Sequence, residues 1–417
     1  MNWMLDLQAL LGIGVFVGLA LPFSSSIRAI RWRIVLIAIA LQFAICIVLL
    51  RVPFISNALQ YLNAGVAALS AATRAGTSFV FGYLGGGTPP FAVTNESVLN
   101  TFAFGVIPII VVVSALSAVL WYWRILPAVI RGIAWFFERT LGTTGPAGFA
   151  VTANVFVGQV EAPLLVRPYI AKMTRYELLL LMTAGMAMIA GSMMVVYSQM
   201  LQQHFANMLS QLLTKSLMSI PASILFAYVM LPEANASAER AEPGRIYTST
   251  MDAITRGTSD GLHIWLNVIV ILVVLIAFVA LLNLTLGAFP PVLGAPLTLE
   301  RMIGWVFAPM AWLMGIPWSE ATTAGGLLGI KTALNEFIAY LKLVDLGPET
   351  LSARSRLITI YALCGFANLA SMGIQISGIA AMAPERRADL NELAFRSLVG
   401  ATLASCMTGA VVGIVQF

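Results

Sequence analysis

Two segments of the chain place a carboxylate and a side-chain amide among apolar residues. The first runs from Val157 to Pro163 (VGQVEAP), and the second runs from Thr332 to Phe337 (TALNEF). Carboxylates and amides provide hydrogen-bond acceptors and donors that can hold a polar ligand. Ionisable residues inside membrane segments are rare and generally functional. Glu161 and Glu336 are therefore the first candidates for a binding site.

Both segments are predicted to be the tips of hairpins rather than the centres of spanning helices. A carboxylate, an amide, a glycine and a proline are costly on a lipid-facing helix, whereas two half-helices that meet at a tip bury these groups in protein. Each hairpin precedes a span with an interrupted centre, at Ala184 to Ser192 and at Gly365 to Gly373. The distance along the chain from glutamate to interruption is nearly the same in both units. Two such units predict an inverted-repeat secondary transporter with its site near the membrane midplane.

The composition places these units in a membrane. Of the 417 residues, 59% are hydrophobic and 10% are charged, and the mean hydropathy is +0.91. Because a soluble domain has about a quarter of its residues charged, most of this surface must face lipid. The basic residues do not form the dense patches that nucleic-acid binding needs. Nucleic acid is therefore not an expected partner, and three cysteines without metal-site spacing predict neither a disulfide nor a metal site.

Charge-free stretches of about 20 residues predict eight full spans in an all-α fold. The predicted spans are Gln8–Ile27, Ile34–Leu50, Ser97–Trp123, two spans within Leu178–Pro232, Gly261–Leu299, Leu357–Pro384 and Ala401–Phe417. Residues 125–141 are predicted to lie along the membrane surface, because their apolar residues recur at helical spacing away from charged ones. Arginine clusters after spans one and three and before the last span favour a cytoplasmic position for those loops. Both termini are then expected on the periplasmic or extracellular side.

A channel and a membrane enzyme or receptor are the alternatives from other functional classes. A channel would show rings of charge or carbonyl-rich loops. An enzyme would need a nucleophile or a metal-binding set, and the two histidines, His204 and His263, have no partner pattern near them. The sequence therefore favours a transporter.

Four motifs resemble those of the concentrative nucleoside transporter family, and they occur in the order that is found in the family. They are Gly76–Gly85 (GTSFVFGYLG), Gly158–Leu164 (GQVEAPL), Asn335–Tyr340 (NEFIAY) and Tyr361–Ser371 (YALCGFANLAS). The likeness extends over nearly the whole chain, in the short bacterial form of the family. One such string alone would mean little, but four in order are specific.

The resemblance implies a homotrimer in which a central scaffold holds three mobile transport domains that move as elevators. Residues 1–124 and 261–296 would form the scaffold, and 233–260 would be a cytoplasmic loop. Residues 125–232 and 297–417 would be the two repeats of the transport domain, each with an interfacial helix, a hairpin, a broken span and an unbroken span. The expected location is the inner (plasma) membrane, where the trimer contacts lipid.

By the same resemblance, the first hairpin and its broken span face the nucleobase, and the second pair holds the ribose. The implied substrate is a nucleoside, uridine-like or purine, and no organic cofactor is implied. The residues carried over for the base are Gln159, Val160, Glu161 and Met193. Those for the sugar are Asn335, Glu336, Phe366, Asn368 and Ser371.

The resemblance also implies sodium as the coupling ion. The ligands carried over are Asn154, Val157, Met188 and Ile189, which offer an amide oxygen and backbone carbonyls suited to a hard cation. The chain departs from the family pattern at Met188, where the family often has Ser or Thr, so that one hydroxyl ligand is absent. Val160 likewise replaces a frequent Thr in the hairpin tip. Proton coupling through Glu161 or Glu336 is the alternative to sodium coupling.

Overall fold

The computed structural model describes residues 3–93, 101–143, 145–202, 207–233, 246–292 and 294–417, and these residues are almost entirely helical. Their only extended pairing is an isolated bridge between Val292 and Ala295. This confirms the predicted all-α fold. The helices are α1 Trp3–Ala20, α2 Trp32–Arg51, α3 Pro53–Phe81, α4 Ile109–Tyr122, α5 Ile125–Leu141, α6 Gly145–Ala153, α7 Glu161–Leu165, α8 Arg167–Ile170, α9 Arg175–Ala187, α10 Gly191–Leu201, α11 Met208–Met230, α12 Thr250–Leu286, α13 Leu299–Leu313, α14 Trp318–Ala333, α15 Glu336–Asp345, α16 Ala353–Leu363, α17 Leu369–Met382 and α18 Arg387–Gln416.

Seven helical segments among the described residues are long and apolar enough to cross a membrane. They contain α1, α2, α4, the pair α9 and α10, α11, α12 and α18. The span predicted at Leu357–Pro384 is divided into α16 and α17, which have 11 and 14 residues. Neither half alone is long enough to cross, since about 20 residues are needed. The pair α13 and α14 is bent by 118° at the break between the two helices.

Several helices extend beyond the charge-free stretches that predicted them. The prediction of a loop over 233–260 is wrong at its end, because α12 begins at Thr250 and not at residue 261. Polar side chains stabilise this start: the Asp252 N–H donates to Ser249 Oγ at 3.1 Å, and Arg256 pairs with the Asp252 carboxylate at 2.8 Å. In the same way, α18 begins at Arg387, well before Ala401, where the last span was predicted to begin. Residues 234–245 of the predicted loop lie outside the described residues.

The spanning segments differ sharply in how far the protein buries them. In their most apolar stretches, 89% of the residues are buried in the α9 and α10 pair and in α11, against 11% in α12. α18 packs against α9, α11 and α16, whereas α12 packs against α4. Gly257 and Gly261 permit this second contact, because a Cβ at either position would lie within 2.8 Å of the α4 backbone. The first interrupted segment, between α9 and α10, belongs to the buried part, whereas the second includes exposed residues at the start of α17.

Candidate functional site

Both predicted hairpin tips are interruptions between two short helices. α6 ends at Ala153 and α7 begins at Glu161, while α14 ends at Ala333 and α15 begins at Glu336. Asn335 caps α15, because its Oδ1 accepts a hydrogen bond from the Ile338 N–H at 2.9 Å. Each glutamate therefore occupies the first turn of a helix, where the helix dipole favours a negative charge.

The two predicted span interruptions are also present. α9 ends at Ala187 and α10 begins at Gly191; α16 ends at Leu363 and α17 begins at Leu369. Asn368 caps α17, because its Oδ1 accepts from the Ser371 N–H at 2.7 Å. Each interruption leaves backbone groups without helical partners, so they are available for other contacts.

Among the residues predicted to hold the sugar, Glu336 and Asn368 are in direct contact. This carboxylate is buried, and Asn368 Nδ2 donates to its Oε2 at 3.3 Å. Tyr197 of α10 donates its hydroxyl to Oε1 at 2.7 Å. Ser371 is buried at the start of α17, and Phe366 is half-buried in the preceding interruption. We call Glu336, Asn368 and Tyr197 the carboxylate group.

The two span interruptions are joined directly. The Phe366 N–H donates to the Met188 carbonyl at 3.3 Å. Gly365 lies against the end of α9, since a Cβ there would be 2.7 Å from the Ala187 carbonyl oxygen. The Lys215 ammonium of α11 donates to the carbonyls of both Ala187 and Cys364. We call this contact between residues 187–188 and 364–366 the junction.

The first hairpin tip contacts the second half of each broken span. The Gly191 N–H at the start of α10 donates to the Phe156 carbonyl at 3.2 Å. Val160 packs against α17 at Gly378, where a Cβ would be 3.1 Å from Val160 Cγ1. The structure thus brings the tip to both broken spans.

The residues predicted to face the nucleobase lie along this tip. Gln159 is buried, and its Cβ and the Gln375 amide both lie near Gly185. The Glu161 carboxylate lies over Gly158, because a Cβ at 158 would be 2.2 Å from its Oε2. Met193 is buried in the first turn of α10. Both Gln375 amide atoms and Gln159 Oε1 have no hydrogen-bond partner among the described residues.

A cavity of about 400 Å³ opens beside the first hairpin tip. Val157, Gly158 and Glu161 line it from the hairpin, and Ser192 lines it from α10. The opposite wall comes from α4 and from the first turns of α12, including Asp260. Of the four residues predicted to contact the nucleobase, only Glu161 is among its lining residues, and no member of the carboxylate group lines it.

Among the four predicted sodium ligands, Asn154 has the feature that best fits an ion. Its side chain is buried, and both its amide oxygen and its amide nitrogen lack a partner among the described residues. A buried amide without a partner costs about 1–3 kcal/mol. Met188 and Ile189 are buried in the interruption after α9, and Val157 is half-buried at the hairpin tip. The described residues contain no cluster of His, Cys, Asp and Glu suited to a metal ion.

Sequence reasoning did not single out Tyr197, Lys215 or Gln375. Tyr197 lies 139 residues along the chain from Glu336, whose carboxylate it contacts, and no local sequence pattern predicts such a pair. Lys215 did carry a signal, because it is a charged residue inside an apolar run. His263 is exposed and its Nδ1 contacts the Ser259 carbonyl at 2.7 Å, whereas His204 lies outside the described residues.

Comparison with known proteins gives a consistent result over the whole length. Residues 211–413 match a family model described as the C-terminus of Na⁺-dependent nucleoside transporters, and residues 11–84 match the corresponding N-terminus. Residues 103–203 match a model described as nucleoside recognition. An uncharacterized transporter of Haemophilus influenzae is 35% identical, over 98% of this chain and 97% of that protein. The chain belongs to the concentrative nucleoside transporter family. The family predicted from four motifs is thus confirmed.

Other members of the concentrative nucleoside transporter family show the same extent of similarity. The nucleoside permease NupC of Helicobacter pylori is 33% identical over 98% of this chain and 97% of its own length. Sodium/nucleoside cotransporter 1 of Mus musculus is 34% identical over 98% of this chain, which spans 64% of the mouse protein. A solved structure of CNTnw, in an inward-facing substrate-bound state, has a TM-score of 0.89 and 35% identity and covers 99% of both chains. The chain is therefore a multi-span membrane transporter of this family.

Proposed function

We propose that this chain is a secondary active symporter that imports nucleosides together with sodium by an elevator-type movement. The observation that carries the proposal is the carboxylate group, which lies at the meeting point of a hairpin tip and two broken spans. A carboxylate has about four acceptor positions. Tyr197 and Asn368 occupy two of them, and the remaining capacity would accept a hydrogen bond from a ribose hydroxyl.

The remaining site residues fit a neutral substrate that has a flat base and a polyhydroxyl sugar. Phe366 supplies an apolar wall beside the ribose, and Asn335 and Ser371 lie at the first turns of the two helices nearest to Glu336. Gln159, Val160, Glu161 and Met193 would contact the base, where the unpartnered Gln159 oxygen is an acceptor ready for a ring donor. These residues would determine whether purine or pyrimidine nucleosides are preferred.

Sodium is the proposed coupling ion because the residues around Asn154 suit a hard cation. The Asn154 amide oxygen lacks any other partner among the described residues, and Val157 and Ile189 lie at interruptions that free backbone carbonyls. Met188 adds only its carbonyl, since its thioether is a poor ligand for sodium. Proton coupling through Glu161 or Glu336 is the second candidate, and the missing hydroxyl ligand at Met188 is the observation that favours it.

The proposal includes assembly and location. The resemblance to the family implies that the working unit is a homotrimer in the plasma membrane. The exposed apolar surface of α12 and α3 suits lipid and neighbouring subunits. Both termini lie on the outer side. Residues of the scaffold, at α4 and α12, face the first hairpin across the cavity and would let the hairpin slide during transport.

The experiment is uptake of labelled uridine into proteoliposomes that contain the purified full chain. Uridine should accumulate above its external concentration when an inward sodium gradient is imposed, and unlabelled adenosine added in parallel would report whether purines compete. Equilibration without accumulation would indicate a channel, and chemical conversion of the uridine would indicate an enzyme. Either result would overturn the proposal.

A further inference from the structure

Lys215 is a fully buried lysine in the middle of the apolar helix α11. A buried charge in a membrane protein is expensive unless other groups stabilise it. None of the substrate or ion roles proposed above involves this residue. Its position therefore requires a separate explanation.

The contacts of the Lys215 ammonium supply that explanation. The ammonium donates to the carbonyl of Ala187, the last residue of α9, and to the carbonyl of Cys364, which directly follows α16. Both carbonyls are at helix C-termini, where helical partners are missing and the helix dipoles are negative. Transporters use carbonyls of this kind, at the ends of half-helices, to bind alkali cations. An ammonium group thus lies in surroundings that suit a monovalent cation.

A second buried lysine makes a related but narrower contact. Lys331 of α14 donates to the Ala362 carbonyl at 2.8 Å, near the end of α16. It reaches one broken span, whereas Lys215 reaches both. Of these two lysines, only Lys215 contacts both broken spans.

We propose that the Lys215 ammonium is a tethered cation that holds the two broken spans together at the junction. It occupies the position that a free monovalent cation would otherwise need to fill. Because the charge is covalently attached, this contact is independent of ions in solution. Lys215 is a positioning residue, since it acts on Phe366 and Asn368 through the backbone that carries them. For its effect on nucleosides this inference rests on the proposed function; for its effect on stability it does not.

The test compares the wild-type chain with Lys215→Met, which keeps an unbranched side chain one atom shorter and removes its charge. The midpoint of thermal unfolding is measured without nucleoside in choline chloride, and then with ammonium or potassium chloride at the same ionic strength. We expect the midpoint of Lys215→Met to be lower in choline and to rise with the logarithm of the ammonium or potassium concentration, as binding to the folded state requires. The wild-type midpoint should not depend on which of these cations is present.

Two further variants separate charge from packing. Lys215→Arg retains a cation and should behave as the wild type does, without dependence on the added cation. Lys331→Met removes a contact to one span only and leaves the Lys215 charge in place, so it should lower the midpoint without creating cation dependence. If Lys215→Met does not yield monodisperse protein, Lys215→Gln takes its place in the same measurement.

A midpoint that is equally insensitive to ammonium and potassium in wild type and variant would overturn the proposal and leave Lys215 as a packing residue. Uridine binding provides the second readout, where Lys215→Met should lose about ten- to a hundredfold in affinity in choline. Potassium should restore part of that loss. Failure of the wild-type chain to transport uridine would contradict the proposed function. The unfolding measurement without nucleoside would still test the role of Lys215.

Discussion

At the scale of single residues, the carboxylate of Glu336 is the strongest hydrogen-bond acceptor at the proposed sugar end. Glu336→Gln keeps the shape of the side chain but weakens the hydrogen bonds from Tyr197 and from the ribose. Hydrogen bonds to a charged group contribute about 1.5–3 kcal/mol, so we expect uridine affinity to fall by about ten- to a hundredfold. Isothermal titration calorimetry on the purified variant measures the change.

The control for this change is Glu349→Gln, which alters an exposed glutamate outside the site. It should bind uridine as the wild type does. If Glu336→Gln also keeps wild-type affinity while remaining monodisperse, then the carboxylate group does not hold the substrate.

Asn368 combines two roles that substitutions can separate. Its Oδ1 caps α17, and its Nδ2 contacts Glu336. Asn368→Ala removes both roles and should destabilise the fold by about 0.5–2 kcal/mol through the lost cap. Asn368→Ser keeps a capping oxygen but cannot reach the carboxylate. We therefore expect both variants to lose uridine affinity but only the alanine variant to lose thermal stability; a serine variant with normal affinity would contradict the binding role.

Residue types in the local sequence predicted two of the three members of the carboxylate group. Glu336 and Asn368 are recognisable because each is a polar residue beside an interruption in an apolar segment. Tyr197 is not recognisable, because its importance comes from a partner that lies 139 residues away. Tyrosine in an apolar helix is ordinary, and only the packing of α10 against α15 gives it a role.

At the scale of elements, the junction depends on a close approach that only glycine permits. A Cβ at Gly365 would lie 2.7 Å from the Ala187 carbonyl oxygen, and such overpacking costs about 1–3 kcal/mol. Gly365→Ala should therefore lower the midpoint of thermal unfolding and weaken uridine binding together. Gly373→Ala is the matched control, because a Cβ there meets nothing within 4 Å. Equal midpoints for the two variants would show that the approach tolerates a side chain.

Interruptions within elements were predictable, whereas the ends of several elements were not. Glycine, proline and asparagine act locally, so the breaks near Gly158, Asn335, Gly191 and Asn368 are visible in the sequence. The start of α12 at Thr250 was missed because a helix continues past the membrane boundary wherever caps and ion pairs stabilise it. Hydropathy indicates where a segment leaves the lipid, but it does not indicate where the backbone hydrogen bonding of the helix ends.

At the scale of the whole molecule, α12 exposes an apolar surface that a single chain leaves uncovered. Val270, Val273 and Leu281 are among its exposed residues, and only 11% of its most apolar stretch is buried. Lipid and neighbouring subunits are the surroundings that suit such a surface. We expect native mass spectrometry in a mild detergent to give three times the 44.7 kDa mass of one chain. A monomer under conditions that preserve uridine binding would contradict the homotrimer.

Ion coupling also belongs to the whole molecule, because the ion has to favour the same arrangement of hairpin and broken span that the substrate favours. Sodium at Asn154 would link the first hairpin to the interruption after α9, so each ligand would raise the affinity of the transporter for the other. We expect Asn154→Ala to abolish the dependence of uridine uptake on external sodium, while Asn154→Asp retains it by keeping an oxygen ligand. Wild-type uptake that is equal in choline and sodium, and that collapses when a proton gradient is dissipated, would instead assign the coupling to a carboxylate.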